Sequence, residues 1–105
     1  MKILLDECVP WPMHRLRVGQ ECRTAQQCGW GGTKNGQLIA LAENEFDLFI
    51  TSDQNLRYQQ NLKGRKISIL ELSTNNLRRI ETAADQIRRA LTQLKPGEYW
   101  RLQIP

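Results

Sequence analysis

Three short apolar runs set the frame for this chain: Ile3 to Leu5, Leu48 to Ile50, and the stretch from Ile67 to Leu72. The first two are unbroken by polar residues, the pattern of a strand covered on both faces, where a half-exposed strand would alternate. Such strands need helices above and below them, and helical patterns lie between them. Met13 and Leu16, bracketed by prolines and Gly19, predict a helix near 10–18. Leu38, Ile39, Leu41, Ala42 and Phe46 predict a second helix with one apolar side, and Asn35 is placed to cap it. Leu77, Ile80, Ala84, Ile87, Leu91 and Leu94 recur at intervals of three and four, which predicts a last helix over 77–94. A short strand near 22–25 runs into a Gly-rich loop, residues 54–64 suit a short helix and turn, and "YWRLQI" suits an edge strand. The alternation predicts one α/β domain over 1–105, with a mostly parallel central sheet, flanking helices and right-handed crossovers.

A chain of 105 residues, 40% apolar and 25% charged, can bury a core without disulfides or a structural metal. Cys8, Cys22 and Cys28 are odd in number and lack the CxxC spacing, and no signal peptide is evident, so free thiols and a cytoplasmic setting are expected. No apolar run approaches the roughly 20 residues of a membrane span. The net charge of +4 is unevenly divided. Residues 1–56 carry five Lys/Arg against seven Asp/Glu, and residues 57–105 carry ten against four. The acidic half suits a cation and the basic half suits phosphates.

The acids fall at informative places. Asp6 and Glu7 follow the first apolar run, and Asp53 follows the second. In parallel α/β sheets, ligands bind outside the carboxyl ends of the strands. If the two strands are neighbours, their ends lie about 4.8 Å apart, so Asp6 and Asp53 can reach one small cation. Mg²⁺ and Mn²⁺ favour oxygen ligands, and Mg²⁺ needs only one or two carboxylates with several waters.

The opening "MKILLDE", the helix start "KNGQLIALAEN" and the strand end "FDLFITSDQNL" together resemble the compact PIN-like domains, relatives of the PIN nucleases and of toxin–antitoxin ribonucleases. The resemblance covers residues 1–73. It implies a three-layer sandwich, a Mg²⁺ or Mn²⁺ site and hydrolysis of RNA phosphodiesters, with a protein antitoxin and a homodimer as expected partners. Asp6 and Asp53 match two of the family's acids. Asn35 and Asn55 stand where relatives carry carboxylates. Two amides in an acid site would weaken metal affinity and remove a second metal. The resemblance thus implies catalytic roles for Asp6, Asp53, Asn35 and Asn55, and metal ligation by Asp6, Asp53 and Glu7.

Around this site, Thr51 and Ser52 offer hydroxyls, and Glu43 offers another carboxylate that a solvated helix face also explains. Arg57 and Tyr58 suit phosphate contact and base stacking on single-stranded RNA, and Lys63, Arg65 and Lys66 would extend a phosphate track. Arg78, Arg79, Arg88 and Arg89 fit the solvated face of the last helix. His14 suits a surface position, and Trp11, Trp30 and Trp100 suit packing. Two other functions compete with the nuclease. One is a non-catalytic PIN-like module that binds RNA or protein. The other is a phosphoacceptor receiver domain, favoured by the acid pair after the first strand and Asp53 after a later one, and opposed by the lack of a strand-end Lys.

Overall fold

Leu4, Phe49 and Leu70, which stand mid-strand on three neighbouring strands, are wholly buried, as strands covered on both faces require. The computed structural model describes residues 2–9, 21–33, 35–54 and 65–105, with the side chains of residues 21, 35 and 36 not included. The helix expected at 10–18, with Trp11 and His14, lies outside the described residues, as do Asn55, Arg57, Tyr58 and Lys63.

Five strands form one sheet: β1 (Lys2–Leu5), β2 (Glu21–Thr24), β3 (Leu48–Thr51), β4 (Ser68–Leu72) and β5 (Tyr99–Leu102). Their order is β2-β1-β3-β4-β5, and every pairing is parallel, including that of the edge strand β5. The described helices are α1 (Asn35–Ala42), α2 (Leu77–Thr82) and α3 (Ala84–Gln93). None of them is long and apolar enough to cross a membrane.

Alternation along the strands builds two cores. Ile3, Leu5, Leu48, Ile50, Leu70 and Leu72 point to one face, where Ile80, Ala83, Ile87 and Leu91 of the α2–α3 segment cover them. Leu4, Phe49 and Ile69 point to the other, beneath Leu38, Ile39 and Ala42 of α1. Leu41, expected on the apolar side of α1, is instead exposed, because the buried stripe follows 38, 39, 42 and 46. Trp30 packs edge-on against Phe46, with centroids 6.1 Å apart, and Trp100 packs on the α2–α3 core.

Two expectations change. The helix expected over 77–94 breaks at Ala83, whose N–H is shared between the carbonyls of Arg79 and Ile80. The Thr82 hydroxyl also donates to the Arg78 carbonyl one turn back, a bond that bends helices. The apolar stripe runs on across the break, since Ile80, Ala83 and Ile87 belong to one core. The crossovers also differ in hand. From β2 over β1 to β3, and from β4 to β5, the chain steps in the same direction across the sheet, yet α1 lies on one face and α2–α3 on the other. One connection is therefore left-handed, against the usual rule. The side chains of β4 show what favours this. At its carboxyl end the apolar face is that of Leu70 and Leu72, while the α1 face carries Glu71.

Candidate functional site

The strand order 2-1-3-4-5 places the topological switch point between β1 and β3, because the chain leaves β1 in one direction for β2 and later returns on its other side as β3. Asp6 follows β1 there, and Asp53 lies two residues beyond β3. The adjacency assumed for the two acid-bearing strands is present, with Leu5 opposite Ile50.

Thr51 ties these ends together. Its fully buried hydroxyl donates to Asp6 Oδ2 at 2.7 Å and accepts the Asp53 N–H at 3.0 Å. Asp6 is itself buried, and its Oδ1 accepts the Glu7 N–H at 2.8 Å. The Cys8 thiol donates to Asp6 Oδ2 at 3.2 Å, and Cys8 Sγ accepts the Ser52 N–H at 3.4 Å. Cys8 is exposed, yet partial desolvation of its thiol, reinforced by the Asp6 charge, pushes its pKa up, so Cys8 stands there as a neutral thiol. All three cysteines are free.

Glu7, expected beside Asp6 as a metal ligand, takes a different partner. Its Oε1 accepts the Gly32 N–H at 2.6 Å. Gly31 packs so close that an added Cβ would stand 3.2 Å from the same oxygen. Glu7 thus pins the "GWGG" loop, in which Gly29 and Gly32 take the positive φ of 78° and 80° that glycine tolerates. Asp6, Glu7, Val9, Thr24 and Gln26 line a cleft of about 190 Å³ beside this loop. Asn35 is the first residue of α1, whose amino terminus follows that loop.

Other expected site residues lie elsewhere. Arg65 pairs with Glu43 at 2.9 Å, and the Lys66 N–H donates to Glu43 Oε1 at 2.8 Å. These three residues stand where α1 ends and β4 is about to begin, at the amino edge of the sheet. A five-residue strand separates that edge from the acids by roughly 16 Å. Arg65 and Lys66 are therefore not brought to Asp6 and Asp53. Arg88 pairs with Asp85 at 2.8 Å on the exposed face of α3. Arg79 donates to the carbonyls of Ile104 and Pro105, which ties α2 to the end of the chain.

Sequence reasoning missed Glu71 and its partner Arg101. Register places Thr51 beside Glu71, and Glu71 beside Arg101. Since Asp6 follows Leu5, whose partner Ile50 precedes Thr51, a polar row of Asp6, Thr51, Glu71 and Arg101 crosses the α1 face at the carboxyl edge. Glu71 is wholly buried; its Oε1 accepts the Tyr99 hydroxyl at 2.6 Å. Its Oε2 lies 3.2 Å from Arg101 Nε, an ion pair without a well-aligned hydrogen bond. The available signal was a lone acid inside the apolar run "SILEL".

For a divalent cation, the donor set is decisive. Among the described residues no group of three or more His, Cys, Asp or Glu side chains converges as a metal cage. Two carboxylates on neighbouring strand ends would suit only a hydrated Mg²⁺ or Mn²⁺ that keeps most of its waters, not an ion stripped of water.

Fold and site together define an α/β protein with an all-parallel sheet and two acids just beyond the strand ends at its switch point. No family model, curated protein or solved structure matches the chain.

Proposed function

We propose that this chain is a compact PIN-like, Mg²⁺- or Mn²⁺-dependent ribonuclease, of the kind that serves as the toxin of a toxin–antitoxin pair. The observation that carries the reading is the placement of Asp6 and Asp53 just beyond the ends of adjacent parallel strands at the switch point. When bound, the ion would polarise a phosphoryl oxygen and lower the pKa of a coordinated water. Asp6 and Asp53 would hold the ion, and Thr51 fixes the Asp6 carboxylate through its hydroxyl. Asn35 and Asn55 would orient a water through their amides, and Arg57 and Tyr58 would engage the RNA strand. In this setting the partners are RNA, a protein antitoxin and a second copy of the chain, and the place of action is the cytoplasm.

A second reading is a non-catalytic PIN-like module that binds RNA or protein. It is favoured by the amides at 35 and 55 and by the commitment of Glu7 to Gly32. The receiver alternative shares the strand order, but a fold with right-handed crossovers throughout would put α1 and α2–α3 on one face. Its strand-end Lys is also missing, since Gln103, Ile104 and Pro105 follow β5.

Calorimetric titration of Mg²⁺ and Mn²⁺, with RNA cleavage assayed in parallel, separates the first two. The nuclease reading expects wild-type binding and cleavage, both lost in Asp53→Asn and in Asp6→Asn. Wild-type RNA binding with neither metal binding nor cleavage would leave the non-catalytic module, and Asn35→Asp with Asn55→Asp should then raise metal affinity.

A further inference from the structure

Glu71 is a carboxylate that the proposed hydrolysis does not use, wholly buried in a central strand. A buried ion pair is weak evidence for stability, because desolvation offsets the attraction and an apolar pair of similar volume does as well. One oxygen of Glu71 even lacks an aligned hydrogen bond. What the arrangement does achieve is orientation. Glu71, itself fixed by the Tyr99 hydroxyl, places its Oε2 3.2 Å from Arg101 Nε. The Arg101 side chain remains 40% exposed, and its two terminal nitrogens carry no hydrogen bond to a described residue. A guanidinium drawn to a buried carboxylate on its Nε side leaves its outer nitrogens as a fork that suits a phosphate.

The position of this fork gives it meaning. Arg101 ends the same cross-strand row that begins at Asp6, on the same face of the sheet. Three strand spacings separate the two, roughly 14 Å, a distance that a few nucleotides of single strand can bridge. Thr51 and Glu71 between them are buried, so a strand would pass along the carboxyl edge above them. We propose that Arg101, held by Glu71, anchors a backbone phosphate of single-stranded RNA a few nucleotides from the bond at Asp6 and Asp53. The proposal rests on the functional reading above for its ligand, RNA, and not for the metal. Glu71 is then a positioning residue, and Arg101 a phosphate-binding one.

The test is binding of a fluorescently labelled single-stranded RNA oligonucleotide by anisotropy, in EDTA, across a range of NaCl concentrations. Loss of one phosphate contact should make the slope of log K against log salt shallower by about 0.7 in Arg101→Gln. Binding at low salt should weaken roughly tenfold, as for a lost charge-assisted bond. Arg101→Lys, which keeps the charge, should retain the slope. Because Arg101→Gln leaves Glu71 without its cation, the double variant Glu71→Gln with Arg101→Gln removes both charges and should show the same shallower slope in a folded protein. Arg88→Gln, on the solvated face of α3, should leave the slope unchanged. Slopes equal to wild type in both Arg101→Gln proteins would overturn the proposal even if the enzyme cuts RNA. An equal change in Arg88→Gln would overturn it too, as would a wild type that binds no oligonucleotide. An Arg101-dependent slope in a protein that binds no metal would uphold it while removing the nuclease reading.

Discussion

The two edges of the sheet use carboxylates in opposite ways. At the amino edge, acids close the fold: Asp47 Oδ2 accepts the Lys2 N–H at 2.8 Å, and Glu43 accepts the Lys66 N–H while pairing with Arg65. Each satisfies a backbone donor near a strand start, in contact with water. At the carboxyl edge, Asp6 and Glu71 are buried, and their partners are side-chain hydroxyls, a thiol and a guanidinium. Backbone closure explains the first arrangement. The second carries more buried polarity than closing a sheet requires, which fits the site proposed there.

If the contrast is real, perturbing the carboxyl edge should cost far more. The largest effect is expected from Arg101→Ala, which strands the Glu71 charge. Breaking a fully buried pair costs about 3–5 kcal/mol, and the partial exposure of Arg101 lowers the expectation to roughly 2–3 kcal/mol by urea unfolding. Replacing both partners, as Glu71→Leu with Arg101→Leu, should restore much of the loss. Thr51→Val comes next. It keeps the β-branched shape while taking a donor from Asp6 and an acceptor from the Asp53 N–H, at about 2 kcal/mol. A cost near zero would mean that the hydroxyl does not join the two acids.

Chemical reactivity sharpens the comparison further. With its pKa raised by burial and by Asp6, Cys8 should alkylate more slowly at pH 8 than a free cysteine, and Asp6→Asn should speed it. Cys22, pushed up to about 11 by burial alone, should be slow in both proteins. Mass spectrometry of iodoacetamide-treated samples reads all of these rates, and an unchanged Cys8 rate in Asp6→Asn would break the contact between them. The smallest effect belongs to the amino edge. The Lys66 N–H, then Arg65, hold the Glu43 pKa below its ordinary value. A depressed acid adds stability above its unfolded pKa and loses it as pH falls through the folded one. Glu43→Gln should therefore lower Tm slightly at neutral pH, and the difference should vanish in acid below the usual glutamate range.

Much of the fold was legible because burial on both faces leaves a local signature. "ILL" and "LFI" are unbroken apolar runs, and β1, β3 and β4 fall within a residue or two of where such runs end. The stripe of the last helix was legible for the same reason. Its break at Ala83 was not, since a shared N–H and a back-bonded Thr82 depend on how the segment settles on Leu70 and Leu72. Asp6 and Asp53 could be placed at one edge of the sheet because both follow buried strands that run parallel. Glu7 could not be placed, because its partner is a loop N–H about 25 residues away. Arg65 and Lys66 follow Asp53 closely in sequence, but the chain between the edges carries them to the far side of the sheet.

Local patterning was enough for the class of fold, the identity of the buried strands and the two acids that follow them, since periodicity and strand-end position are properties of neighbouring residues. Tertiary structure alone decided that all five strands run parallel, that two crossovers take opposite hands, and that Asp6, Thr51, Glu71 and Arg101 form one row. Register across four strands joins residues up to 95 positions apart, and no local pattern encodes it.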